Sequence, residues 1–298
     1  MKVAYLILAH HMPDNVNRLC NALSSNGSGV FVHWDKKVGR EIPIESVDGR
    51  ITVLKQRIPV YWGDFSAVEA ALKLLRAAHD SDVGFDRFIL MSGSDYPLRS
   101  QSYINQFFCN NRDTEFIDLH RMPAEQRGKP ISRLTRYKLR PSDSRLVNEI
   151  KKFMIGKKLL PRYRNYNVVF DGMHPYAGSA WWALSREAVS YVLDFVANRR
   201  PFVNYYRHTE VPDESFFHSI LGNSVFRSKI RNSLTYVDWS AGGPHPSVMT
   251  DEHIRRFTAE KPCRASSGQG STEVLFARKF SDDSDKLIAQ LEGSNHDV

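Results

Sequence analysis

A strand–helix–strand pattern at the N-terminus constrains the fold more than any other feature of the sequence. An apolar run at 3–9 predicts a buried strand, and residues 14–23 carry apolar side chains at helical spacing, with Asp14 as the expected N-cap. GVFVHW at 29–34 then predicts a second strand. This order is typical of the βαβ unit of a mostly parallel sheet, so we predict an α/β fold.

Composition limits the class of protein further. The 298 residues are 42% hydrophobic and 25% charged, as in an ordinary folded chain, and the net charge of +8 favours anionic partners such as nucleotides, phosphates, nucleic acid or a membrane surface. Three scattered cysteines are too few for a disulfide framework, which favours a reducing compartment. No stretch approaches the roughly 18 to 20 apolar residues that a membrane span requires, so we expect a soluble protein.

An acidic residue follows a predicted strand in the first half of the chain. The segment 64–80 predicts an amphipathic helix, and the apolar strand Phe88 to Ser92 runs into a cluster of Gly, Ser, Asp and Pro. Ligands of α/β sheets gather at the carboxyl ends of strands, where Asp95 lies. Asp95 is therefore a candidate site residue, although capping of the next turn would also explain it.

A basic region at 121–166 interrupts the regular pattern, with Arg and Lys interleaved with Tyr, Phe and Leu. It could form a docking surface for an anionic acceptor or for lipid head groups. An irregular, solvated insertion is the alternative. The pattern becomes regular again with a predicted strand at 178–185, a helix at 186–200 and a second helix near Pro212.

Four further residues stand out as candidates. Glu214, at the predicted start of that second helix, could act as a general base, or it could be a charge that favours a helix N-terminus. Asp35 ends the second strand and could contact a nucleoside or simply finish the strand. Trp181 or Trp182 could form the wall of a sugar site, and we expect the other to be core.

The adjacent cations Arg278 and Lys279 lie between apolar residues, which predicts a packed backbone and a rigid phosphate clamp.

The sequence lacks the Walker loop, GxGxxG, HExxH, CxxC and GxSxG motifs, which argues against kinases, dehydrogenases, zinc enzymes and serine hydrolases. DDSD at 282–285 formally satisfies a DxD metal motif, but capping of a helix explains it better. In a nucleotide-sugar enzyme, stabilising the leaving diphosphate would therefore fall to the two cations.

Eight short motifs, in order along the chain, carry a family resemblance. The chain resembles the core-2/I-branching β-1,6-N-acetylglucosaminyltransferases and the related peptide O-xylosyltransferases. The matching segments are AYLILAH at 4–10, FVHWDKK at 31–37, YWGDFS at 61–66, SGSDYPLRS at 92–100, GSAWWALSRE at 178–187, VPDESFFHSIL at 211–221, YVDW at 236–239 and FARKF at 276–280. Each is weak alone, but their shared order is specific.

The resemblance implies a single GT-A-like glycosyltransferase domain over 1–298, with a basic insertion at about 121–166. It implies inverting transfer from a UDP-sugar to an acceptor hydroxyl without a divalent metal or other cofactor. By motif position, Glu214 is similar to the family's general base.

The same positional match implies the remaining roles. Arg278 and Lys279 are similar to the diphosphate clamp, Asp95 to the residue that contacts the donor sugar, Asp35 to the nucleoside contact and Trp181 to the wall of the sugar pocket.

The donor sugar stays open between GlcNAc and xylose. Ala180 is similar to the N-acetylglucosaminyl branch, whereas PDESFFHSIL and FARKF are closer to the xylosyl branch. We expect a cytoplasmic enzyme, with peripheral contact at the inner face of the membrane, that acts on a glycan or lipid-linked oligosaccharide and not on nucleic acid.

Two other functions are compatible with the residues themselves. A non-catalytic basic module could bind anionic glycan or nucleic acid through 121–166. A glycosidase could use Asp95 and Glu214 as its carboxyl pair, but this would leave the adjacent cations unexplained.

Overall fold

A seven-stranded, mostly parallel sheet forms the centre of the computed structural model, which describes residues 1–25, 27–39, 44, 50–142, 144–157, 159, 163–243, 245–260, 262–267 and 270–295. The strands are β1 (Val3–Ala9), β2 (Ser28–Trp34), β3 (Ile51–Val53), β4 (Arg87–Ser92), β5 (Asp95–Pro97), β6 (Glu115–Phe116), β7 (His120–Arg121), β8 (Tyr176–Ala177), β9 (Trp182–Ser185), β10 (Ile230–Arg231), β11 (Thr235–Val237), β12 (Arg264–Ser267), β13 (Gly270–Glu273) and β14 (Phe276–Arg278). The α-helices are α1 (Pro13–Leu23), α2 (Ser66–His79), α3 (Gln101–Asn110), α4 (Ser132–Thr135), α5 (Arg145–Gly156), α6 (Asn167–Phe170), α7 (Arg186–Asn198), α8 (Arg200–Tyr206), α9 (Phe216–Gly222), α10 (Asp251–Ala259) and α11 (Asp285–Asn295).

The strand order of the main sheet is β10-β6-β9-β4-β1-β2-β3. Strand β9 runs antiparallel to β4 and β6, and the other neighbours are parallel. The predicted α/β fold, with a mostly parallel central sheet and flanking helices, is confirmed. A smaller sheet, β11-β14-β5, joins the C-terminal region to the segment that follows β4.

Strand β1 is apolar throughout because helices cover both faces of the sheet. Ala4 and Leu6 face a core that includes α2 and α7, whereas Tyr5 and Ile7 face a second core that includes α1 and the C-terminal helices. A strand buried on both faces has a continuous apolar sequence rather than an alternating one. The same burial therefore explains the unbroken run at 3–9.

Three local predictions differ from the structure. Asp14 lies in the first turn of α1 but does not cap it; the N-cap is Met12, in the left-handed conformation, and Pro13 opens the helix with its fixed φ. The strand predicted at 178–185 forms only over β9. The helix predicted near Pro212 is a 3₁₀ turn over Pro212–Glu214, followed by α9.

Strand β9 begins late because the backbone before it approaches a neighbouring segment closely. A Cβ atom on Gly178 would lie 2.3 Å from the carbonyl oxygen of Asp118. Only glycine allows the two backbones to come so close. The segment that contains Gly178 therefore lies beside Asp118, which follows β6.

The three cysteines, Cys20, Cys109 and Cys263, are free thiols. Within the parts of the chain that the structure describes, no helix has the length and apolar character needed to cross a bilayer.

The central position of β1 predicts a large cost for truncating its core side chains. Leu6 is fully buried, opposite Phe31 and Leu90 in the two neighbouring strands. Leu6→Ala should lower the free energy of unfolding by about 2 to 5 kcal/mol, because it leaves a cavity between packed layers. Urea unfolding measures this loss of stability, and Val225→Ala, at an exposed turn, is the control. If the two variants lost the same free energy of unfolding, Leu6 would not be packed as described.

Candidate active site

A cleft of about 950 Å³ opens at the edge of the sheet where the parallel strands end. His10 follows β1, Ser94 follows β4 and Trp181 precedes the antiparallel β9, so all three lie at the same edge. This is the edge at which α/β sheets bind ligands. The lining also includes the charged residues Asp118, Arg127, Lys129, Arg133, Asp213, Glu214, Arg278 and Lys279.

Glu214 is held in the cleft by two cations. It ends the 3₁₀ turn, and its side chain is 25% exposed. Its Oε2 accepts hydrogen bonds from the ammonium of Lys129 and, at 2.6 Å, from Nη1 of Arg133. The described residues place no hydrogen bond on Oε1, so that oxygen can accept a proton from a bound molecule.

A second carboxyl group lies directly beside Glu214. The Oδ1 atom of Asp213 is buried and has no hydrogen-bond partner among the described residues. Burial, followed by the neighbouring charge of Glu214, raises the pKa of Asp213 to about 6. Below about pH 6 the Asp213 carboxyl group is therefore mostly protonated.

Arg278 is packed against Asp95 and Trp181. Antiparallel pairing of β14 with β5 places Arg278 opposite Asp95. The Nε atom of Arg278 lies 3.6 Å from Oδ1 of Asp95, and the guanidinium carbon lies 4.4 Å from the centre of the Trp181 ring. The cation is thus held between a carboxylate and an aromatic face, which fixes its position at the cleft.

Asp95 is completely buried and does not line the cleft. Its Oδ2 accepts a hydrogen bond from the amide of Ser92 at 2.9 Å. Burial raises the pKa of Asp95 to about 6, while Arg278 and the Ser92 amide favour the charged form. The structure therefore brings Asp95 to the predicted site as a support for Arg278, and its predicted contact with a donor sugar stays a prediction.

Lys279 lines the same cleft next to Arg278. Burial and the adjacent Arg278 charge lower the pKa of its ammonium group. Among the described residues, no carboxylate forms a salt bridge with Lys279. An anionic group that entered the cleft would therefore meet a cation whose charge is not already neutralised.

Asp35 lies outside the lining of the cleft. Its Oδ1 accepts hydrogen bonds from the amides of Lys37 at 2.9 Å and Val60 at 3.2 Å, and its Oδ2 lies 3.5 Å from the Lys37 ammonium. These contacts fit the simpler interpretation, in which Asp35 finishes β2 and caps the turn after it. Its role as a nucleoside contact stays a prediction.

The tryptophan pair divides as expected. Trp182 is core and packs on Phe217 with ring centres 5.2 Å apart, whereas Trp181 lines the cleft under Arg278.

Sequence reasoning missed Lys129 and Arg133 as individual site residues. They lay within the basic region 121–166, but no pattern distinguished them from the other cations there. Five residues of that region, 143, 158 and 160–162, lie outside the described residues.

His10 and His11 also line the cleft, and the centres of their stacked rings lie 4.0 Å apart. Burial, followed by the charge of His11, lowers the pKa of His10 to about 4.

The acidic string at 282–285 is not part of the lining of the cleft. Asp282 accepts a hydrogen bond from the amide of Asn15 at 2.8 Å, and Asp285 begins α11 and pairs with Arg18. Within the described ranges, no group of three or more His, Cys, Asp or Glu side chains is arranged to hold a metal ion. Independence from metal stays a prediction.

The fold and the cleft define an α/β domain with a cleft at the edge of the sheet where such domains bind ligands. A family comparison is more specific, because the model of the Core-2/I-Branching enzyme family matches residues 3–261. The chain belongs to this family.

Curated relatives and a solved structure show how close the similarity is. The chain is 28% identical to human xylosyltransferase 2 over 254 residues, 80% of this chain and 27% of the relative. It is 26% identical to dog xylosyltransferase 1 over 307 residues, 94% of this chain and 29% of the relative. The chain thus spans less than a third of the length of these relatives.

The structure of mouse xyloside xylosyltransferase 1 in its apo form is a distant match. Its TM-score is 0.34 at 11% identity, and the alignment covers 92% of this chain and 97% of that chain.

Burial of Asp95 predicts a specific pH dependence of stability. The pKa rises from 3.8 to about 6 on folding, so between these values the folded state holds a proton that the unfolded state has lost. The contribution of Asp95 to stability therefore falls as pH rises through this window and stays low above about pH 6.

Relative to the wild type, Asp95→Asn should gain stability from pH 4 to pH 6, by an amount on the order of 2 to 3 kcal/mol. Urea unfolding across this pH range measures the difference. Asp113→Asn, at an exposed carboxylate, controls for the loss of a charge. If the difference in the free energy of unfolding between Asp95→Asn and the wild type did not change with pH, Asp95 would not have the raised pKa described here.

Proposed function

We propose that this chain is an inverting, metal-independent glycosyltransferase that moves a sugar from a UDP-sugar to a hydroxyl group of a glycan or lipid-linked oligosaccharide. The observation that carries the proposal is one cleft containing the Glu214 carboxylate and the adjacent cations Arg278 and Lys279. Family membership supports the transfer of a sugar. The donor is xylose or GlcNAc, with Ala180 in the lining next to Trp181.

The reaction needs a proton acceptor on the side of the incoming hydroxyl. In the proposed step, Glu214 takes the hydroxyl proton as the oxygen forms its bond to the anomeric carbon. Lys129 and Arg133 contact Oε2 and hold the carboxylate in one orientation, which leaves Oε1 to take the proton in the proposed step. Attack from the face opposite the leaving group inverts the anomeric configuration.

The leaving group needs positive charge on the other side of the sugar. As the bond between the anomeric carbon and UDP breaks, its electron pair goes to the diphosphate, whose negative charge increases. Lys279 supplies an ammonium group that pairs with no carboxylate of the described residues, and Arg278 supplies a guanidinium held in place by Asp95 and Trp181. Fixed cations require little reorganisation during the reaction, so they can take the role that a divalent ion has in other transferases.

A binding module is the second candidate, and the cations of the basic region in the cleft favour it. Arg127, Lys129 and Arg133 all line the cleft and could bind an anionic glycan without catalysis. A glycosidase is less well supported, because Asp95 is buried beneath Arg278 and does not face the cleft.

Glu214→Gln tests the general base. The variant should lower kcat by about a hundredfold or more, because the amide cannot take a proton, while the affinity for UDP stays within a fewfold. Transfer is followed with UDP-xylose and UDP-GlcNAc, and UDP binding by calorimetry. Glu252→Gln, at an exposed position on α10, is the matched control. Normal turnover by Glu214→Gln would show that this carboxylate is not the base.

Lys279→Ala tests the diphosphate clamp. Loss of one charged hydrogen bond to the diphosphate should weaken UDP binding by about tenfold to a hundredfold. Calorimetry in the presence of chelator measures the affinity, and Lys286→Ala on the exposed face of α11 controls for loss of a charge.

Chelator should also leave wild-type turnover unchanged. Turnover that disappeared with chelator and returned with manganese would contradict the proposed role of the two cations. Absence of UDP binding with and without metal would favour the binding module.

A further inference from the structure

Helix α5 has an apolar face that is exposed. No other part of the described chain covers this face. None of its residues is buried. Leu146 is 71% exposed, Ile150 50% and Phe153 60%, and Val147 is also exposed. These positions recur at spacings of one, three and four residues, so they share one side of the helix.

The opposite side of α5, which is polar except for Ile155, faces the protein. The side-chain amide of Asn148 donates to the carbonyl oxygen of Ser142 at 2.9 Å, and the ammonium of Lys151 donates to the carbonyl oxygen of Arg140. Surface helices of globular proteins normally bury the apolar side and expose the polar side. The orientation of α5 is reversed, so its apolar side is available for an external partner.

Arg140 links this helix to the main fold. Its guanidinium lies 2.9 Å from Oε2 of Glu69 on α2 and 3.3 Å from Oδ1 of Asp64. Lys151 donates a hydrogen bond to the backbone of Arg140, and Arg140 in turn contacts Glu69 on α2. These polar contacts hold α5 in one orientation relative to α2. The outward direction of the apolar face is therefore supported by specific interactions.

Helix α5 carries a net positive charge, and its cations lie on the polar side, away from the apolar face. Arg145 and Lys152 are exposed on the helix, and Lys157 is exposed just after it. Glu149 is the one acidic residue of α5, and it pairs with Lys152 at 2.8 Å. Leu159, 62% exposed, extends the apolar surface past the helix end. An apolar face combined with basic residues on the polar side is typical of helices that lie in the interface of an anionic membrane.

We propose that α5 is a membrane-docking helix that inserts Leu146, Ile150 and Phe153 among the acyl chains of an anionic bilayer. Its cations would contact the lipid phosphates, since long basic side chains can reach head groups while their stems stay in apolar surroundings. A second copy of the chain fits less well. Two such faces paired about a twofold axis would bring like charges together, with only one acidic residue on each helix to offset them.

Vesicle flotation tests the docking helix without any sugar donor, so its result is independent of the proposed transferase activity. The wild-type protein should float with vesicles of phosphatidylcholine and phosphatidylglycerol and stay in solution with phosphatidylcholine alone. High salt should weaken the binding, because it screens the attraction between cations and head groups.

Phe153→Asp and Ile150→Asp should each reduce partitioning to the anionic vesicles by about tenfold or more, since each removes an inserted apolar side chain and adds a negative charge. Both sites are exposed in solution, so the folded structure should be kept, which circular dichroism checks. Val225→Asp introduces the same charge at an exposed apolar residue elsewhere and should bind like the wild type.

Three results would overturn the docking helix. They are no binding of the wild type to anionic vesicles, equal binding by Phe153→Asp and Val225→Asp, and a wild-type dimer in sedimentation equilibrium that Phe153→Asp converts to monomer. The last result would assign the face to a second copy of the chain.

Discussion

The candidate site depends on the antiparallel pairing of β5 with β14. These strands lie far apart in the chain, and their pairing places Arg278 opposite Asp95 and extends the adjacent Lys279 into the cleft. The buried Asp95 carboxylate and the Trp181 ring then hold the guanidinium in place. The cost of burying Asp95, visible in its raised pKa, is offset in part by the nearby cation. The Arg278 side chain is thus held in position by the fold itself.

The cleft has two electrostatically different walls. Glu214 is neutralised by Lys129 and Arg133, whereas Lys279 has no carboxylate partner in the described part of the chain. An anion that reaches Lys279 does not have to displace a described carboxylate, whereas Lys129 and Arg133 already contact Oε2 of Glu214. This asymmetry suits a reaction in which the leaving group is highly charged and the nucleophile is not.

Some of this arrangement could be predicted from local pattern and some could not. The apolar run of β1 and the helical spacing of α2 are local signals, and they led to the correct α/β fold. The packed backbone around Arg278 was also predictable, from its apolar neighbours. The contacts of Lys129 and Arg133 with Glu214 join segments that local periodicity does not connect, so the sequence alone did not distinguish these two cations. The 3₁₀ turn before α9 was missed because Pro212 suits the start of either kind of helix.

Comparison of UDP with uridine as ligands of the wild-type protein tests the central claim most directly. Calorimetry in the presence of chelator gives both affinities under conditions in which only protein cations can contact the diphosphate. If Arg278 and Lys279 hold the diphosphate, UDP should bind at least about a hundredfold more tightly than uridine, in keeping with two or more charged hydrogen bonds. Equal affinities for UDP and uridine, or UDP binding only after a divalent metal is added, would contradict the account.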